Sequence, residues 1–125
     1  MDKMSTIRLS PSLLSADFAH LEAAFKLIEQ KRASAVHIDV MDGSFVPEIS
    51  YGQPVITSLR AQTELPFDVH LMTEHPERHV DSFAASGADW ITFHIEGTVH
   101  VHRVIEHIKS LGKKAGIAFV PSTPV

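Results

Sequence analysis

The chain has 125 residues, 44% of them hydrophobic and 21% charged, a length and balance that suit one folded domain and exclude a disordered or fibrous chain. A formal net charge of −4 with 11 scattered Lys and Arg leaves no basic footprint for a phosphate backbone, so no nucleic-acid partner is expected. Without cysteine there is no disulfide or thiolate chemistry, and with neither a run of about 18 apolar residues nor an apolar leader after Met1, the expectation is a cytoplasmic protein with no membrane partner.

Five short extended segments alternate with helical ones. The first, residues 7–14, precedes a helix over residues 16–30, where Phe18, Leu21, Ala24, Phe25 and Ile28 recur at helical spacing and Ser15 or Asp17 offers a cap. The second strand, residues 35–40, is followed by a loop over residues 43–52 and a short helix over residues 54–61. The third, residues 67–72, leads to a helix that Pro76 opens and Gly87 stops. The fourth, residues 90–95, leads to a helix over residues 98–111 with Gly112 just beyond it, and the fifth covers residues 115–120. Strands separated by helices predict an α/β fold with a parallel sheet.

Within the strands, side chains two apart share a face. His37, Asp39 and Met41 therefore point one way while Val36, Ile38 and Val40 point the other; Asp68, His70 and Met72 oppose Phe67, Val69 and Leu71 in the same manner. Two imidazoles and a carboxylate from neighbouring strands suit a divalent metal or a proton-transfer site, and equally a buried hydrogen-bonded cluster. Asp68 shares a face with His70 but lies one layer deeper, and reads as a structural partner or orienter of an imidazole, not as a base. Thr92, His94 and Glu96 form another polar face, whose histidine and glutamate either line the mouth or pair structurally. A strand with one polar face near its C-terminal end fits a barrel better than an open doubly wound sheet. His100, Arg103 and His107 share one helix face and read as solvated. The 43–52 loop reads as a rim or flap, since it lacks the glycine spacing and lysine of a nucleotide-binding loop.

Several motifs in order carry a resemblance: Pro11-Ser12-Leu13-Leu14-Ser15-Ala16-Asp17, His37-Ile38-Asp39-Val40-Met41-Asp42-Gly43, Phe45-Val46-Pro47, Asp68-Val69-His70-Leu71-Met72 and Gly87-Ala88-Asp89. Together they resemble the ribulose-phosphate 3-epimerase family, which are (β/α)8 TIM barrels. The resemblance implies conversion of D-ribulose 5-phosphate to D-xylulose 5-phosphate, with one divalent metal ion (Zn, Fe, Mn or Co) bound by the residues matching His37, Asp39 and His70. It makes Asp39 a catalytic acid/base. Ser12 and His70 would contact the substrate, and Met41 and Met72 would pad the cavity beside the reacting carbon. A sugar phosphate is the implied partner, in a homo-oligomer. A related hexulose-phosphate epimerase, such as one for allulose 6-phosphate, and a non-catalytic metal- or partner-binding half-barrel are the alternatives.

The pattern also departs from the family. Ser44 stands where histidine is usual, Glu48 where asparagine is common, and Val120-Pro121-Ser122 where Asn-Pro-Gly is frequent. Barrels of this type need roughly 200 residues or more, so the expectation is a single truncated domain over residues 1–125 holding strands one to five. The strand-seven aspartate and the phosphate loops of the family have no counterpart here, which predicts impaired turnover and apolar sheet edges prone to self-association.

Overall fold

The computed structural model describes residues 7–125, so the reading of the chain start as lacking an apolar leader falls outside the described residues. Four strands, β1 (Val36–Met41), β2 (Phe67–Met72), β3 (Trp90–His94) and β4 (Lys114–Ala118), form one parallel sheet in the order β1-β2-β3-β4. Between and before them lie α1 (Leu21–Gln30), α2 (Gln53–Arg60), α3 (Val80–Ser86) and α4 (Val101–Ser110). The architecture is α/β, consistent with part of the expected barrel.

The alternation predicted for the strands governs the packing. In β1 and β2, buried and half-buried residues alternate strictly. The buried set, Val36, Ile38, Val40, Phe67, Val69 and Leu71, joins Ile91 and Phe93 of β3 in one core with Phe25 of α1, Ile56 and Leu59 of α2, Val80 and Phe83 of α3, and Val104 and Ile108 of α4. Each large apolar side chain so enclosed stabilises the fold by about 1.5–3 kcal/mol. The opposite face is thereby left to the polar residues.

Local signals set the helix ends. Asp17 caps a 3-10 turn, Phe18–His20, by accepting from the Ala19 amide at 3.0 Å, and α1 follows directly. Pro54 lies in the first turn of α2. A second 3-10 turn, Pro76–Arg78, precedes α3, which ends where Gly87 takes φ +119°, a left-handed conformation that a side chain would strain.

The first expected strand is corrected. Residues 7–14 run beside β1, yet the pairing there is a single parallel bridge between Ser12 and His37. Leu9 O accepts from Ser34 and Ala35, and Pro11 O accepts from His37 at 2.9 Å. Pro11 has no amide to donate in return. Ser12 then caps a 3-10 turn, Leu13–Ser15, accepting from the Leu14 amide at 3.2 Å, and the chain leaves the ladder with Leu13 fully buried. The sheet thus has four strands where five were expected. A smaller difference is at Ile95, which begins a 3-10 turn, Ile95–Gly97, instead of ending β3.

Candidate active site

Strand register assembles the polar face in layers. His37 stands opposite Asp68, Asp39 opposite His70, and Met41 opposite Met72. Because each β1 residue on this face faces a β2 residue on the same face, the site needs no loop to bring its groups together. Asp39 Oδ1 lies 3.1 Å from His37 Nε2 and 3.1 Å from His70 Nδ1. Its other oxygen, Oδ2, accepts a hydrogen bond from the Ser12 hydroxyl, the residue that bridges to β1. The methionines sit half-buried at the C-terminal end of the two strands.

A surrounding layer fixes the rings. His37 Nδ1 meets Asp68 Oδ2 at 2.8 Å, and the Ser10 hydroxyl donates to the same oxygen at 3.4 Å. Asp68 thus orients an imidazole, that of His37, its register partner. His70 Nε2 lies 2.9 Å from His94 Nε2, with ring centroids 5.0 Å apart and planes inclined by 24°, so the two rings meet edge to edge. Phe45, from the 43–52 loop, covers His94 with ring centroids 4.9 Å apart. Ser50 in the same loop accepts from the Met41 amide at 2.9 Å and donates to Asp39 O at 2.8 Å, pinning the loop to the end of β1.

The charges follow from these contacts. Burial pushes the Asp39 carboxyl up, but hydrogen bonds from His37, His70 and Ser12 outweigh it and hold the group well below the usual carboxylate range. The carboxylates of Asp39 and then Asp68 raise His37 to about 10 against the opposing effect of burial. Burial, with the neighbouring His70, pushes His94 down. The Tyr51 hydroxyl is buried with no hydrogen-bond partner among the described residues, and burial followed by the Asp39 charge pushes it up.

His37, Asp39 and His70 each offer one ligand atom, all within 4.8 Å of one another. Donors about 2.0–2.1 Å from a tetrahedral ion lie roughly 3.3 Å apart, and the two imidazole nitrogens meet the carboxylate oxygen at 3.1 Å. The donor set fits a divalent cation, with outer partners already on the far nitrogen of each ring. His100, Arg103 and His107 are not part of this group. With Glu77 and Val104 they line a separate cavity, and His107 Nε2 pairs with Asp81 Oδ1 at 2.8 Å.

Sequence reasoning missed Phe45, Ser50 and the anchoring of Asp42. The Asp42 carboxylate accepts from Ser44 and Phe45 in one loop and from Glu74 in another, each at 2.9 Å. Asp-Gly-Ser at the end of a strand is a signal for such a side-chain-capped turn. Nothing local marks the contact of Phe45 with His94.

The profile of the Ribulose-phosphate 3 epimerase family matches residues 8–125. The chain belongs to that family. Among curated relatives, a ribulose-phosphate 3-epimerase of Treponema pallidum (strain Nichols) is 54% identical over 117 residues, covering 94% of this chain and 54% of that protein. A ribulose-phosphate 3-epimerase of Bacillus subtilis (strain 168) is 49% identical over 119 residues, 95% of this chain and 55% of that protein. A chloroplastic ribulose-5-phosphate-3-epimerase of Arabidopsis thaliana is 48% identical over 123 residues, 97% of this chain and 44% of that protein. The chain therefore spans about half the length of these epimerase relatives. No helix among its described residues is long and apolar enough to cross a membrane.

Proposed function

We propose that this protein is a ribulose-phosphate 3-epimerase interconverting D-ribulose 5-phosphate and D-xylulose 5-phosphate, and that His37, Asp39 and His70 hold one divalent ion, Zn, Fe, Mn or Co. The observation that carries this reading is the convergence of the two imidazoles on one oxygen of Asp39, at 3.1 Å each, on the polar face of the family-matched sheet.

Epimerisation at C3 removes the proton beside the ketone, passes through a planar enediolate, and returns a proton to the opposite face. Asp39 is ionised, the form that accepts a proton, and Ser12 together with the two rings fixes its direction. The same contacts lower its basicity. A divalent cation held by these residues supplies Lewis-acid stabilisation of the developing negative charge, worth several kcal/mol, which offsets that weakness. Met41 and Met72 wall the site with polarizable apolar surface that keeps water from the intermediate. The Ser12 hydroxyl, which donates to Asp39, keeps lone pairs that can accept from a substrate hydroxyl, and His70 would meet the substrate through the cation it holds. In the family pattern the acid/base for the other face comes from a strand beyond β4.

The test separates Asp39 from its counterpart. A single base removes and returns a proton on one face, so it exchanges C3 hydrogen without inverting the carbon. Incubated with each pentulose phosphate in turn and a divalent cation in deuterated buffer, the protein is expected to incorporate deuterium at C3 of the one epimer whose C3 hydrogen faces Asp39, followed by proton NMR. Asp39→Asn should slow this by about 10²–10⁴-fold. Exchange no faster than in buffer, or undiminished in Asp39→Asn, overturns the proposal.

A further inference from the structure

Resting on the metal site proposed above, we infer that His94 and Glu96 are positioning residues, forming an outer arm that holds His70 with Nδ1 toward the cation. The two ligand rings are held differently. His37 has a carboxylate, Asp68, at its far nitrogen, whereas the far nitrogen of His70 meets another imidazole, with Nε2 to Nε2 of His94 at 2.9 Å. Two ring nitrogens at that distance share one proton. If Nδ1 of His70 presents its lone pair to a cation, its proton sits on Nε2 and His94 Nε2 must be the acceptor. The proton of His94 is then on Nδ1, which is buried with no hydrogen-bond partner among the described residues and lies 3.6 Å from Glu96 Oε2. A shift of a few tenths of an ångström closes that contact and gives the orphaned nitrogen its acceptor.

The arm is anchored at both ends. His94 is only 8% exposed and lies between the His70 ring at 5.0 Å and the Phe45 ring at 4.9 Å, so it has little freedom to turn. Glu96 keeps Oε2 toward His94 while Oε1 accepts from the Val120 amide and, at 3.0 Å, from the Thr123 hydroxyl. These bonds tie the carboxylate to the segment that follows β4. The negative charge of Glu96 thus reaches His70 through one imidazole, as that of Asp68 reaches His37 directly. This raises ligand basicity and fixes the tautomer.

The competing account is that His94 merely fills space under Phe45. Phenylalanine keeps a ring under Phe45 and removes the acceptor, whereas glutamine gives up the ring and retains an acceptor. Zinc affinity by chelator competition is expected to fall about 10–100-fold in His94→Phe, to be largely retained in His94→Gln, and to fall by less in Glu96→Gln, with circular dichroism unchanged. In the zinc-loaded protein, imidazole nitrogen NMR should show His70 ligated through Nδ1 and protonated on Nε2. Parental zinc affinity in His94→Phe, or equal losses in the phenylalanine and glutamine variants, overturns the arm. Should His94→Phe not fold, the exposed Glu96→Gln decides, and unchanged affinity there overturns it. Undiminished zinc binding by His70→Ala overturns the ligand assignment itself, a failure distinct from that of the arm.

Discussion

An imidazole presents one nitrogen to a cation only as firmly as something holds the other. For His37 that holder is Asp68 at 2.8 Å. Asparagine at position 68 keeps an acceptor but loses the charge, and alanine loses both. Divalent-metal affinity measured by chelator competition is therefore expected to fall about 10-fold in Asp68→Asn and nearer 100-fold in Asp68→Ala; a parental value in the alanine variant contradicts the role. Parity along β1 and β2 was enough to put His37, Asp39 and His70 on one face, because side-chain direction in a strand depends on position alone. Parity does not give the register between strands. That is why the sequence left open which imidazole Asp68 orients, and the register settles it on His37 in the same layer. The ring of Phe45 on His94 was illegible for a further reason: it joins a loop to a strand 49 positions away, and only the folded loop brings them together.

Elements read well where an apolar period dominated and poorly where single backbone groups decided. The bodies of the helices and β2 follow their periodic patterns, though α1 and α3 begin at Leu21 and Val80, after 3-10 turns, where residues 16 and 76 were expected; residues 7–14 look extended and apolar but leave the ladder where Pro11 lacks an amide and Ser12 caps a turn. The loops beside the site depend on a comparable detail at Asp42. Its carboxylate ties the turn after β1 to the segment after β2, accepting from the amides of Ser44, Phe45 and Glu74. Burial pushes this carboxyl up, but those amides outweigh it, so the group titrates below its ordinary range. A carboxyl depressed in the folded state stabilises above the unfolded value of about 3.9, and the contribution is lost as pH falls through the folded value. Asp42→Ala is expected to cost about 1–2 kcal/mol near neutrality, allowing for solvent exposure. Urea titrations at pH 6 and pH 3 should show a smaller acid loss in the variant than in the parent. An equal loss in both places the anchoring of these loops elsewhere.

At the scale of the molecule, the sheet has one face closed by helices, one polar face that carries the site, and two flanks with uncovered apolar side chains. Beside β1, Ile7, Leu9 and Leu27 are 83%, 60% and 54% exposed; beside β4, Ile117 and Phe119 are 43% and 39% exposed. Among the described residues no strand pairs with the outer edge of β4, and β1 has only the Ser12 bridge on its outer side. Unpaired backbone groups beside apolar side chains favour edge association. Opposing it, Lys114 stands on the edge strand with its ammonium 5.3 Å from the Trp90 ring centre, a charge that discourages open-ended stacking. The 125-residue chain is therefore expected to form finite assemblies, with a light-scattering mass above 13.8 kDa that rises with concentration. Leu9→Lys combined with Ile117→Lys places a charge on each flank without touching the metal ligands, and should move the mass toward that of one chain. A parental mass of one chain across the concentration range would mean that the exposed side chains are insufficient to drive association, and that the flanks are as soluble as the charged surface around them.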